Sequence, residues 1–193
     1  MRYENILEFI HIPMLCTERL LLRRITKKDL SDVYEYSRDP LVSKYLLWTP
    51  HNSVGVTRKY LSVIDKQYKH AEFYTWGVEY KGRIIGTAGF NSFSLANNSA
   101  EVGYVLGSKY WGFGIATEAL GRILQYGFEH LKLNRIEIKY MSENTASLAV
   151  AKKCGFTYEG TKREAIFSKG AYVDIGIAAI TARDYRRLKN IKS

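Results

Sequence analysis

The spacing of hydrophobic positions along this chain changes several times, and each change marks an element. RLLLRRI (19–25) is an apolar run of strand length, and Thr26 then offers a helix cap ahead of Leu30, Val33, Tyr34 and Ser37 at helical spacing. Asp39-Pro40 breaks that helix, and LVSKYLLWTP (41–50) ends at a second proline, which predicts a short helix and a loop. A longer helix is predicted over 54–69, with Val56, Tyr60, Val63, Ile64 and Tyr68 on one side. From Phe73 the period falls to two: Tyr74, Trp76, Val78 and Tyr80 alternate with less apolar neighbours. Turns at Lys81-Gly82 and Asn97-Asn98 then divide the stretch into antiparallel strands at 73–80, 83–93 and 99–107.

The helical period returns with Ala116, Ala119, Leu120, Ile123, Leu124, Gly127 and Leu131 on one face and Glu118, Arg122, Gln125 and Glu129 on the other. RIEIKYM (135–141) alternates as a strand, Asn144 can cap a helix that Gly155 ends, and two last strands near 156–165 and 171–181 flank a Ser168-Lys169-Gly170 turn. This order of elements is an α/β layer fold with a mixed sheet and no linker or internal repeat. It is read as one domain over 17–193 behind an N-terminal extension, 1–16.

Composition narrows the function. At 193 residues and 46% hydrophobic content the chain can bury one substantial core. No apolar run approaches the ~20 residues of a membrane span, and Glu4 and Glu8 interrupt the N-terminal apolar residues, unlike a signal peptide. A cytoplasmic protein with no membrane partner is expected. Cys16 and Cys154 form no disulfide framework, and His11, His51, His70 and His130 form no cluster with them, so no metal is expected and a cysteine nucleophile lacks its base. The formal charge of +10 fits nucleic acid, an acidic partner or a phosphate-rich cofactor, but the basic residues are scattered. RDYRRLKNIK (183–192) reads as a solvated terminal helix, and no specific nucleic-acid partner is indicated.

KYWGFGIATEAL (109–120) holds the most distinctive chemistry. Gly112 and Gly114 stand where a helix presents unpaired N–H groups, a seat for a phosphate anion. A P-loop is excluded, because Gly107 and Gly112 have its spacing but Phe113-Gly114 replaces the lysine and hydroxyl residue. A dinucleotide fold is excluded as well, since Thr117 replaces the third glycine and antiparallel strands come first.

In order, TERLLLR (17–23), DPLVSKYLLWTP (39–50), AEVGYVL (100–106), YWGFGIATEAL (110–120), NTAS (144–147), GFTYEG (155–160), Arg163 and Asp174 resemble the GCN5-related N-acetyltransferases (GNAT). Within that superfamily they resemble the RimJ/RimL branch, which acetylates ribosomal-protein N-termini. The family's pyrophosphate motif is matched by Lys109 to Gly114, with lysine in its first place. The resemblance implies a mostly antiparallel sheet flanked by helices, whose central strands splay apart to hold acetyl-CoA. Val105 and Leu106 are implied to meet the pantetheine arm. The main chain of Gly112, Phe113, Gly114, Ile115, Ala116 and Thr117 is implied to hold the pyrophosphate, with the Thr117 hydroxyl as a further donor.

Amine attack on a thioester needs a base and stabilisation of the leaving sulfur. Glu101 is the candidate base, directly or through water, because alternation sets it on the same face as Gly103 and Val105; the competing reading is a strand glutamate paired with a cation. Glu143, Glu159, Glu164 and Asp174 are reserves. Many relatives place a tyrosine seven residues after the asparagine of the last cofactor-contacting helix, but here that position is Ala151. Ser147 is then the nearest match, either protonating the sulfur or hydrogen-bonding it. Asn144 either contacts the cofactor or is a helix cap, and Lys152 and Lys153 either reach its phosphates or are solvated.

By resemblance the amine pocket lies between Arg38–Pro50 and the Glu159–Tyr172 hairpin; Tyr45, Trp48, Tyr74, Trp76 and Phe90 are candidates for its wall, and the competing reading, favoured for most of them, is core. The expected acceptor is a protein N-terminal α-amine of ribosomal-protein type. The alternatives are a small amine (polyamine, amino acid or antibiotic) or an acetyl-CoA sensor without turnover. A homodimer is a candidate assembly.

Overall fold

The computed structural model describes residues 12–68 and 74–191. Most of the expected extension (1–11), residue 69 at the end of the predicted long helix, His70, and Phe73 at the start of a predicted strand lie outside the described residues. The strands are β1 (Leu15–Cys16), β2 (Leu20–Arg23), β3 (Tyr74–Tyr80), β4 (Arg83–Ser94), β5 (Ser99–Leu106), β6 (Arg135–Met141), β7 (Thr157–Ser168) and β8 (Ala171–Thr181). The helices are α1 (Leu30–Ser37), α2 (Pro40–Ser43), α3 (Val54–Gln67), α4 (Ile115–Gln125), α5 (Thr145–Lys153) and α6 (Ala182–Ile191). All strands join one sheet in the order β1-β2-β3-β4-β5-β6-β8-β7. β5 and β6 pair parallel, and every other pairing is antiparallel.

β1 pairs Leu15 with Leu22 and Cys16 with Leu21, so the sheet takes in the last residues of the stretch read as an extension. The Trp76 indole secures that edge by donating to the Pro13 carbonyl at 2.7 Å.

Period-two alternation sends neighbouring strand residues to opposite faces, and each face has its own core. One face packs Tyr74, Trp76, Val78, Ala88, Phe90, Val102 and Leu106 against Ile115, Ala119, Leu120 and Ile123 of α4. The other packs Ile25 and Ile84 against Val33 and Tyr36 of α1, Val42 of α2 and Leu61 of α3. Tyr74, Trp76 and Phe90 are fully buried in the first core, in edge-on and tilted contact with one another and with Tyr126. Of the two readings, pocket wall or core, these three take the core: alternation groups them on one face, and that face is covered by α4. Trp48 likewise packs in the second core, 5.4 Å from the His51 ring.

In α3 the buried positions are Thr57, Leu61 and Ile64, while Val56 and Val63 are exposed. The buried stripe is therefore rotated from the one predicted, because two β-branched residues ride on the solvent side.

One register decides where a site can form. The β5–β6 pairing runs from Ser99–Arg135 to Val102–Ile138 and stops there. Beyond it β5 stays with β4 through Leu106, while β6 stays with β8 through Met141. The two central strands part in a V that opens toward the N-terminal ends of α4 and α5.

Candidate active site

The V is continuous with two cavities. One, of about 440 Å³, is lined by Trp111, Gly112, Gly114, Ile115, Ala116 and Thr117 at the start of α4 and by Val150 and Lys153 of α5. The other, of about 550 Å³, lies between β4, β5, β6 and the β7–β8 hairpin, with Glu101, Gly103, Lys139, Ile166 and Ile175 in its wall. Tyr45, Leu46, Tyr104, Val105, Asn144 and Ser147 line both. Any two reactants that approach from opposite sides meet at these residues.

The first cavity has the features of an anion seat. Gly112 and Gly114 have φ of +80° and +75°, the left-handed region that costs other residues roughly 1–2 kcal/mol. Gly114 is the N-cap of α4 and no side chain caps that terminus, so the first amides of α4 are left to a ligand. Among the described residues, a Cβ built on Gly112 meets nothing within 4 Å, which leaves open space above the loop. These features fit the diphosphate of a coenzyme.

Other members of the predicted set differ in what they offer. Phe113 is outside the cavity wall: its ring is exposed, and its carbonyl accepts from Arg19 Nη1 at 3.0 Å. The Leu106 carbonyl is already taken by the Trp111 indole at 2.7 Å, while the Val105 carbonyl faces β4, close over Gly86, so of Val105 it is the side chain that lines the cavity. Lys109 points away to Glu35 (2.9 Å), so the basic residue of the motif does not face this cavity.

Asn144 caps α5, its Oδ1 accepting from the Ser147 amide at 3.1 Å. That cap fixes Ser147 in the first turn of α5, and Ser147 lines both cavities. Lys153 lines the coenzyme-side cavity, whereas Ala151 is fully buried and brings no group to the junction.

Glu101 stands on the wall of the second cavity, and its carboxylate is engaged by Lys139 Nζ at 2.7 Å and by Asn91 Nδ2 at 3.4 Å. The parallel register opposes Glu101 to Glu137 and brings Lys139, two residues on, across the V. The hydrogen bond that Lys139 donates to Glu101 raises the Lys139 pKa against the opposing effect of burial, so Lys139 stays cationic. Of the reserve carboxylates, Glu159 is held by Arg135 at 2.5 Å, and Asp174 accepts from the Glu164 amide at 2.7 Å. These ties belong to the framework of the hairpin.

The hairpin reaches back to α2. Lys169 Nζ donates to the carbonyls of Ser43 and Lys44, and this tie bridges the two segments expected to flank the amine pocket. Tyr45 is the one predicted wall aromatic that lines the cavity.

Two groups at the site escaped sequence reasoning. Tyr104 shares a face with the core residues Val102 and Leu106, so alternation assigns it to the interior; the parting of the strands brings its hydroxyl within 3.5 Å of Ser147 Oγ. Burial raises its pKa, with the Ser147 contact opposing. Lys139 becomes visible from sequence once the parallel register of 99–102 with 135–138 is guessed.

Comparison with known proteins gives the site its context. The model of the acetyltransferase (GNAT) domain matches residues 19–157. "Uncharacterized N-acetyltransferase p20" of Bacillus licheniformis is 36% identical over 173 residues, covering 89% of this chain and 97% of that protein. The "Ribosomal-protein-serine acetyltransferase" of Escherichia coli is 34% identical over 96 residues, covering 50% of this chain and 54% of that protein. Among solved structures, the microcin C7 self-immunity acetyltransferase MccE in complex with acetyl-CoA and AMP superposes with a TM-score of 0.77 at 27% identity, covering 86% of this chain and 93% of that one.

Proposed function

Because this chain belongs to the GNAT acetyltransferase family, we propose that it transfers the acetyl group of acetyl-CoA to the α-amino group of a protein N-terminus. That it is an N-acetyltransferase follows from the family and its relatives. The choice of amine is our reading, and charge in the second cavity carries it.

Among the described residues of that cavity's wall, the charged side chains are Glu101 and Lys139, and they neutralise each other across 2.7 Å. A polyamine brings two or more ammonium groups and finds no free carboxylate there to offset their desolvation. A protein N-terminus brings one amine with a pKa near 7.7–8.0, so about a tenth is already neutral at pH 7. The resemblance to the E. coli ribosomal-protein acetyltransferase over half of this chain supports a protein acceptor.

In this reading the amides of Gly112 to Thr117 hold the diphosphate, and Val105 guides the pantetheine arm toward the junction. Bound acetyl-CoA supplies the thioester. Glu101 takes the proton that the amine sheds, directly or through water, and Lys139 keeps that carboxylate oriented. Ser147 donates to the sulfur as it leaves.

The test is steady-state acetylation of unblocked N-terminal peptides and of spermidine. We expect kcat/KM for the best peptide to exceed that for spermidine by tenfold or more, and Glu101→Gln to lower kcat by about 10². Lys139→Ala unmasks the carboxylate and should shift the preference toward spermidine. A wild-type enzyme that favours spermidine over every peptide would overturn the choice of acceptor.

A further inference from the structure

We infer that Tyr104 is a positioning residue for acetyl transfer, its hydroxyl donating to Ser147 Oγ so that the Ser147 proton is turned toward the departing sulfur. The inference rests on the acetyl-transfer reading of the site and on Ser147 as the sulfur's donor; it does not depend on which amine accepts.

Three observations converge on it. Tyr104 and Ser147 are among the six residues common to both cavities, so they line the region where thioester and amine would meet. Their oxygens are 3.5 Å apart, a long contact of the kind that tightens when reactants fill a site. And Ala151 brings no other donor to the junction from the next turn of α5.

A serine hydroxyl has one proton and rotates freely. If it donates to the tyrosine, it has nothing left for sulfur. A phenol is the stronger acid of the two, so the favoured arrangement has Tyr104 donating and the serine oxygen accepting. The Ser147 proton is then free, and the helix cap by Asn144 holds its Cα in place. Burial keeps the phenol protonated through the neutral range, so the arrangement persists there.

In the transfer the amine nitrogen bonds to the acyl carbon as the carbon–sulfur bond breaks. The bonding pair stays on sulfur, which Ser147 stabilises by its hydrogen bond, and Glu101 accepts the proton lost by nitrogen. That proton reaches the thiolate by way of solvent, so the products are an amide and a thiol.

The experiment is a double-mutant cycle on kcat with Tyr104→Phe, Ser147→Ala and the double variant, using any acceptor the wild-type enzyme turns over. Phenylalanine keeps the ring that packs on the core, and thermal unfolding of each variant checks the fold. We expect Tyr104→Phe to lower kcat about tenfold, the value of one hydrogen bond, with KM for acetyl-CoA unchanged. The double variant should be no slower than Ser147→Ala. If the two losses multiply, Tyr104 acts independently of Ser147 and the relay is wrong. A Ser147→Ala enzyme with wild-type kcat overturns both the relay and the role of Ser147 beneath it, while leaving acetyl transfer itself intact.

Discussion

Arg19 and Phe113 lie 94 residues apart in sequence and are joined by a 3.0 Å hydrogen bond from the guanidinium to the main-chain carbonyl. Glu118 of α4 holds the same guanidinium at 2.7 and 2.6 Å, and also accepts from the Arg19 amide and the Thr17 hydroxyl. In a trans peptide the carbonyl and the next N–H point in opposite directions. Arg19 draws the Phe113 carbonyl to itself, so the Gly114 N–H is turned to the side away from Arg19, and Gly114 lines the cavity.

Arg19→Ala should therefore raise KM for acetyl-CoA about tenfold, leaving kcat within twofold. Exposed ion pairs contribute roughly 0–1 kcal/mol, so thermal stability should hardly change. Isothermal titration with coenzyme A, alongside steady-state kinetics, separates the two. An unchanged affinity would mean that the loop keeps its shape without this anchor.

A second anchor responds to acid. Glu129 accepts from Lys189 (2.7 Å) and Tyr185 (2.9 Å) of α6 and from Gln125 (3.2 Å). Lys189 is the main cause of a Glu129 pKa lowered from 4.5 to about 2, with burial opposing and Tyr185 and Gln125 adding. A folded-state pKa below the unfolded one means that stability is present above about pH 4.5 and is lost as pH falls toward 2. For this largely solvated pair the gain is discounted to ~1 kcal/mol or less. Glu129→Gln should unfold at lower temperature than wild type at pH 7, and the difference should close as pH falls from 4.5 to 2. A difference that persists undiminished at pH 2 would mean that the stabilisation does not come from the Glu129 charge.

These anchors mark the boundary of what the sequence discloses. Alternation and turn signals delimit β3, β4 and β5, and the spacing of Gly112, Gly114 and the apolar face of α4 announces a glycine turn into an amphipathic helix, because such signals are local. The site itself is assembled by non-local pairing. Nothing near Val102 states that its pairing with β6 ends there, yet that one register brings out the Tyr104 hydroxyl and sets Lys139 against Glu101. Tyr74, Trp76 and Phe90 show the complementary limit. Period two says that they share a face, but the identity of that face depends on where α4 returns.

The glycine loop offers the cleanest separation of stability from binding. Gly112 (φ +80°) and Gly82 (φ +77°, at the turn between β3 and β4) are both left-handed, and an added Cβ meets nothing within 4 Å at either. Alanine should strain the backbone equally at the two positions, by roughly 1–2 kcal/mol. At about 2–4 °C per kcal/mol for a chain of this size, both variants should show a similar small loss of Tm. Because no atom of the described residues crowds Gly112, a further effect there is expected to come from a ligand that needs the space. We expect Gly112→Ala to raise KM for acetyl-CoA tenfold or more and Gly82→Ala to leave it unchanged. Equal kinetics for the two would mean that no ligand passes close to Gly112, and the diphosphate would then have to be held farther along α4, by the amides of Ala116 and Thr117 alone.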